Sequence, residues 1–142
     1  MKEKIEIKKC DEDILAIIVK KIAREKLENG MTIYSNPSDP IQAGYLKRSK
    51  GYKAKPHYHP NFPDTKVKPV RQEVIYVLKG SVRLTLYTLD GEKISSVILE
   101  EGDLAIIYQG HEVEFLEESL LLEIKQGPYS GREKDKVMLE VA

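Results

Sequence analysis

From Glu73 to Gln126 the chain alternates short runs rich in Val, Ile, Leu, Thr and Tyr with brief polar punctuations, and this rhythm narrows what it can fold into more than any other feature. The runs are Glu73 to Leu78, Val82 to Leu89, Lys93 to Leu99, Leu104 to Tyr108, His111 to Leu116 and Leu120 to Gln126. Between them stand Lys79-Gly80, Asp90-Gly91, Glu101-Gly102-Asp103, Gln109-Gly110 and Glu117-Glu118. These residue types turn tightly, and Asp-Gly is a strong hairpin signal. Strands this short and regularly spaced, with no helical period among them, predict an all-β sandwich or barrel.

Upstream the pattern is looser. Lys4 to Lys9 (KIEIKK) alternates apolar and charged residues as a strand with one wet face does, and Asp11-Glu12-Asp13 suits a turn. Ile14 to Val19 is a continuous branched run, read as a buried strand in preference to a helix. Lys20 to Asn29 is helix-like, with Ile22, Ala23 and Leu27 on one side and Gly30 as its stop. Asn36 to Pro40 is a loop by its breakers, and Ile41 to Arg48 resumes as a strand that leads through Ser49-Lys50-Gly51 into a histidine-bearing stretch. The last segment, Gly127 to Ala142, opens with Gly-Pro and is expected to pack along the outside or across a partner subunit.

At 142 residues the chain fits one domain with a core of its own. Its 23 basic and 23 acidic residues cancel, which argues against nucleic acid and anionic membranes as partners. The apolar runs Ile14 to Val19 and Leu120 to Leu122 fall far short of the ~20 residues that cross a bilayer, and no signal-peptide pattern opens the sequence. A cytoplasmic protein is the expectation. The single Cys10 cannot form an intrachain disulfide and reads as a packing residue. No phosphate-cradling glycine loop and no Ser-His-Asp arrangement can be read.

The chemistry-bearing residues are the three histidines, His57, His59 and His111, together with Glu73. On a strand, His57 and His59 share one face. If His111 opens a strand, Val113 and Phe115 lie on its face as an apolar inner wall, while Glu112 and Glu114 meet water. Glu73 begins the run Val74 to Leu78 and needs compensation if buried there. Imidazoles plus a carboxylate suit one divalent transition metal, Fe, Mn, Ni, Co, Cu or Zn, rather than the all-oxygen shells of calcium or magnesium. Without His111, the other three still form a facial triad with open positions.

These residues resemble the cupin family. Its first motif, a glycine, five residues, His-x-His, a gap, Glu, six residues and a glycine, is filled by Gly51, His57, His59, Glu73 and Gly80. Its second motif starts at Gly102 and has Gly110 in place, but Tyr108 stands where the family has proline and Val113 where it has histidine. His111 lies two residues early, which keeps its strand parity. The gap from His59 to Glu73 is long and proline-rich, read as a loop at the barrel mouth, from which Asn61, Phe62 and Lys66 could close over a ligand. The chain is also similar to a subgroup of small single-domain cupins often encoded among surface-polysaccharide genes. The likeness rests on Gln72-Glu73, Gly110-His111 and the closing Glu-Ile-Lys-Gln-Gly-Pro-Tyr at 123 to 129, and it covers about Ile41 to Tyr129.

The resemblance implies a double-stranded β-helix, a small jelly-roll barrel at 41–130. Residues 1–40 would add strands and a short helix packing on it, and 131–142 a C-terminal extension. It implies a homodimer and a metal held by His57, His59, Glu73 and His111. The expected function is to bind or act on a small polar molecule, such as a carbohydrate or nucleotide sugar. Glu123 and Tyr129 are the catalytic candidates for an isomerase or epimerase, and Gln72, Tyr76, Lys125 and Gln126 the substrate-binding candidates. The alternatives are an Fe(II)-dependent dioxygenase and a non-catalytic binding or sensor domain with a structural metal. Glu123 and Lys125 could equally form a wet strand face opposite Leu122 and Ile124, and Tyr45 and Tyr76 are read as core.

Overall fold

Where β-branched runs meet glycine-bearing turns, the chain forms strands, as the computed structural model shows for residues 5–60, 71–129 and 131–141, without the side chains of 132 and 133. Asn61, Phe62 and Lys66 lie outside the described residues. The strands are β1 (Ile5–Cys10), β2 (Asp13–Val19), β3 (Gly30–Ile33), β4 (Ile41–Arg48), β5 (Lys53–Tyr58) and β6 (Glu73–Lys79). They continue with β7 (Ser81–Tyr87), β8 (Lys93–Glu100), β9 (Leu104–Ile107), β10 (Gly110–Phe115), β11 (Ser119–Gln126) and β12 (Val137–Met138). One helical turn, α1 (Arg132–Asp135), precedes β12.

Two five-stranded antiparallel sheets, ordered β12-β5-β10-β7-β8 and β3-β4-β11-β6-β9, face each other as a cupin jelly roll. Alternate residues of β6, β7, β10 and β11 point between the sheets, and the core they form includes Ile75, Val77, Val82, Leu84, Val113, Phe115 and Leu121. The outer face carries the charges: Arg83 pairs with Glu114 at 2.6 Å. Gly80 makes the β6–β7 turn at φ +92, and a side chain there would collide with Ser119 of β11. Gly44 lets β3 approach β4, because a Cβ at that position would meet the Thr32 carbonyl.

Several expectations are corrected. The stretch from Lys20 to Asn29 is not a helix: only Lys21–Arg24 coils, as a 3₁₀ turn with no side-chain cap and no buried residue. A short segment that buries no apolar face cannot offset the cost of helix nucleation. Gly30 stops nothing and instead opens β3, which the sequence reading did not resolve. Ile14 to Val19 is a strand, but not a buried one: Leu15 is 67% exposed, and Ile5, Ile7, Ile14 and Ile18 of the same hairpin are also exposed. Tyr45 and Tyr76 are not core; both are half-buried on the opposite strand faces to Leu46 and Ile75. The C-terminal segment is more than an outer wrapping, since β12 extends the sheet on β5 and Asp135 is buried. No helix among the described residues is long and apolar enough to cross a membrane.

Candidate metal centre

His57 lies near the end of β5, His59 just beyond it, and His111 opens β10 directly across from His57. The pairing steps three residues on β5, from Ala54 to His57, against two on β10, from Val113 to His111. This bulge absorbs the odd residue, so that Tyr52 and Ala54 line the same cleft as His57 and His59. All three histidines are at most 5% exposed. Their ring centroids are 4.4 to 5.8 Å apart, and one ring nitrogen from each lies within 4.8 Å of the others.

Each ring is turned by the same device. Nδ1 of His57 lies 2.6 Å from the Lys55 carbonyl, Nδ1 of His111 3.1 Å from the Gln109 carbonyl, and Nδ1 of His59 2.8 Å from the Asp135 carbonyl. A carbonyl oxygen only accepts, so each Nδ1 carries the proton and each neutral ring keeps the Nε2 lone pair for another partner. Metal-binding histidines are oriented in this way.

Glu73 completes the cluster from β6. Its Oε2 is 3.0 Å from His59 Nε2 and 3.2 Å from His111 Nε2, yet it is buried and aligned for a hydrogen bond with neither. A carboxylate oxygen left in contact but unsatisfied is what a cation would relieve. The donor set of three imidazoles and a carboxylate therefore fits a transition metal.

The electrostatics set the histidines apart in the metal-free protein. Burial pushes the His57 ring down to about 3, helped by His111, so it stays neutral. Burial also opposes charge on His59, but Asp135 and Glu73 outweigh it and raise that ring to about 9. Burial likewise opposes charge on Glu73, yet His111 and His59 hold its carboxyl well below the usual range. Glu123 is pushed up to about 8 by burial and the neighbouring Glu73 carboxylate.

The C-terminal segment is stapled onto this end of the barrel. Arg71, 3% exposed, donates to the carbonyls of Pro60, Gln126 and Asp135 and reaches Asp135 Oδ1 at 3.3 Å. Lys125 Nζ meets Asp135 Oδ2 at 2.7 Å. With this support the Asp135 backbone can hold His59, and with His59 and Lys125 beside it the Asp135 carboxyl stays ionised despite burial.

The structure brings His57, His59, Glu73 and His111 together and places Glu123, Lys125 and Tyr129 on the wall of the same cleft, about 420 Å³ in volume. Glu123 and Lys125 are not a wet face, since they share β11 parity with the fully buried Leu121 and point inward. Tyr76, Gln72 and Gln126 do not line the cleft. Gln72 and Gln126 meet instead at the strand ends, where the Gln72 amide donates to Gln126 Oε1 at 2.7 Å. Asp135, Arg71, Arg48 and Tyr52 were missed. Asp135 sits in the charge run Arg132 to Lys136, with no local pattern to mark it.

No family model and no curated protein matches the sequence. Solved structures do match the fold. One is a Bacillus halodurans protein at TM-score 0.65 and 13% identity, covering 81% of this chain and 84% of that one. A cupin superfamily protein from Desulfitobacterium hafniense matches at TM-score 0.52 and 13% identity, over 68% of this chain and 74% of its own. An oxalate decarboxylase variant from B. subtilis matches at TM-score 0.56 and 20% identity, over 80% of this chain but only 29% of its own.

Proposed function

We propose that this chain, which has the cupin fold, is a metal-dependent cupin whose metal is held by His57, His59, His111 and Glu73. Its ligand would be a small polar molecule of the carbohydrate or nucleotide-sugar class. The observation that carries the reading is the set of three Nδ1-to-carbonyl hydrogen bonds, which frees three Nε2 atoms beside an unsatisfied carboxylate oxygen. When bound, the metal supplies Lewis acidity toward a ligand oxygen or, as iron, a site for oxygen chemistry.

The chain's own groups favour proton transfer over passive binding. Glu123, raised to about 8 in the metal-free protein chiefly by burial, lies on the cleft wall where it can exchange a proton with a ligand atom. Tyr129 lines the same cleft as a second hydroxyl donor. Lys125, tied to Asp135, positions that carboxylate rather than serving as a free base. The apolar side chains exposed on the β1–β2 hairpin support a homodimer as the assembled form.

Elemental analysis of protein prepared without tag or chelator, beside a His57→Ala/Glu73→Ala double variant, tests the site. About one transition metal per chain, lost in the variant, is the expected result. A wild type that takes up no metal on titration overturns it. Oxygen uptake that requires Fe(II) would assign the dioxygenase alternative, turnover under argon the isomerase, and a raised melting temperature without product the binding domain.

A further inference from the structure

Arg48 lies on the inward parity of β4, after Gln42, Gly44 and Leu46, and lines the same cleft as the histidines. Its Nε is buried and has no hydrogen-bond partner. Its guanidinium stacks 4.1 Å over the Tyr52 ring. Tyr52 is in turn set edge-on against Phe115 at 5.8 Å, and Phe115 is 1% exposed. The fork is thus fixed in plane by a rigid floor while its Nε donor is unspent.

The other charges of the cleft are distributed differently. Lys125 is taken by Asp135, Lys136 follows Asp135 on the lining, and Glu73, Glu123 and Asp135 all gather at the histidine end. Between that end and Arg48 the lining is apolar: Met31, Leu46, Ala54 and Val113. Glu123 pairs with Gly44, and Arg48 lies four residues further along β4. At ~3.3 Å per residue this is ~13 Å of strand, shortened by the reach of the arginine itself.

We infer that Arg48 is the anion-recognising end of the cleft. The ligand is then a carboxylate- or phosphate-bearing molecule of sugar length, with its oxyanion on Arg48, its carbon body against the apolar lining and its oxygens toward the histidines. A guanidinium fork matches either oxyanion bidentately, and a buried Nε without a partner is unfavourable unless such a group arrives. The inference rests on the metal reading only for the far end of the ligand.

The test compares sorbitol, gluconate and sorbitol 6-phosphate, which share a carbon chain and differ in the terminal group. Each is titrated calorimetrically into metal-equilibrated wild type, Arg48→Gln and Arg48→Lys. Gluconate or the phosphate should bind wild type about tenfold or more tightly than sorbitol. Whichever binds better identifies the oxyanion. Arg48→Gln should erase the difference, and Arg48→Lys should keep part of it while the bound metal content is unchanged. Equal binding of sorbitol, no binding of any of the three, or a preference that survives in Arg48→Gln overturns the assignment. A purely structural role for Arg48 would lower the melting temperature without altering the difference between probes. Loss of metal from wild type would instead count against the metal centre, and the gluconate-to-sorbitol ratio would still report on Arg48.

Discussion

The two ends of the barrel interior are made by the same strands and held by opposite means. β6 presents Glu73 and then Ile75 and Val77, and β10 presents His111 and then Val113 and Phe115. One step of strand parity carries each from a charged cluster into closely packed hydrocarbon. The apolar end needs only volume and shape, as protein cores do. The polar end is positioned by directional bonds to three carbonyls, those of Lys55, Gln109 and Asp135, the last from beyond the barrel. Packing stability and the positioning of the histidines are therefore separable here, with the second built on the first.

The strongest attempt to break that separation is Phe115→Ala. It should cost ~3–5 kcal/mol in denaturant unfolding, because it empties a fully buried aromatic site. The folded fraction should still bind metal at wild-type stoichiometry, and loss of metal from folded protein would show the two ends to be one unit. Arg71→Gln probes the other side. With Asp135 released, His59 loses its orienting carbonyl, and metal affinity measured against a competing chelator should fall ~10–100-fold.

The smallest effect sharpens the contrast by pH. His59 is raised to about 9 in the metal-free protein, above its ordinary 6.5, so its contribution to stability is complete below 6.5 and is lost as pH rises through 9. Metal needs the neutral ring, so affinity should rise roughly tenfold per pH unit up to about 9 and then level off. His57, lowered to about 3, is neutral throughout and adds no competition. Phe115 packs among apolar side chains and the Tyr52 ring, away from the histidines, so the Phe115→Ala loss should be flat over the same window; a slope there would mean the packing senses the charge cluster.

The barrel was legible because period-two patterning and turn residues agree along it: Ile41 to Arg48 is a strand with the bounds its breakers suggest, and His111 does face inward with Val113 and Phe115. The convergence of the three histidines was legible because histidine is rare in this sequence and its few positions coincide with a motif. Where both faces of a strand are apolar, parity alone does not say which points in, and only the burial of Leu121 places Glu123 inside. Lys20 to Asn29 misled because its helical spacing buries nothing. Asp135 and Arg71 were illegible for a different reason: they act across 76 and 64 positions, which no local pattern encodes.

That separation in sequence also sets an order in time. Synthesis runs from the N-terminus, so His57, His59 and His111 all emerge before residue 135, and strands β4 to β11 can pair while His59 still lacks its carbonyl partner. A nascent chain at that stage offers an unpinned ring and a poor grip on any cation it meets. Under the proposed metal-binding role, the choice of ion would then pass from the growing polypeptide to the closed barrel, where geometry rather than first encounter decides what is kept.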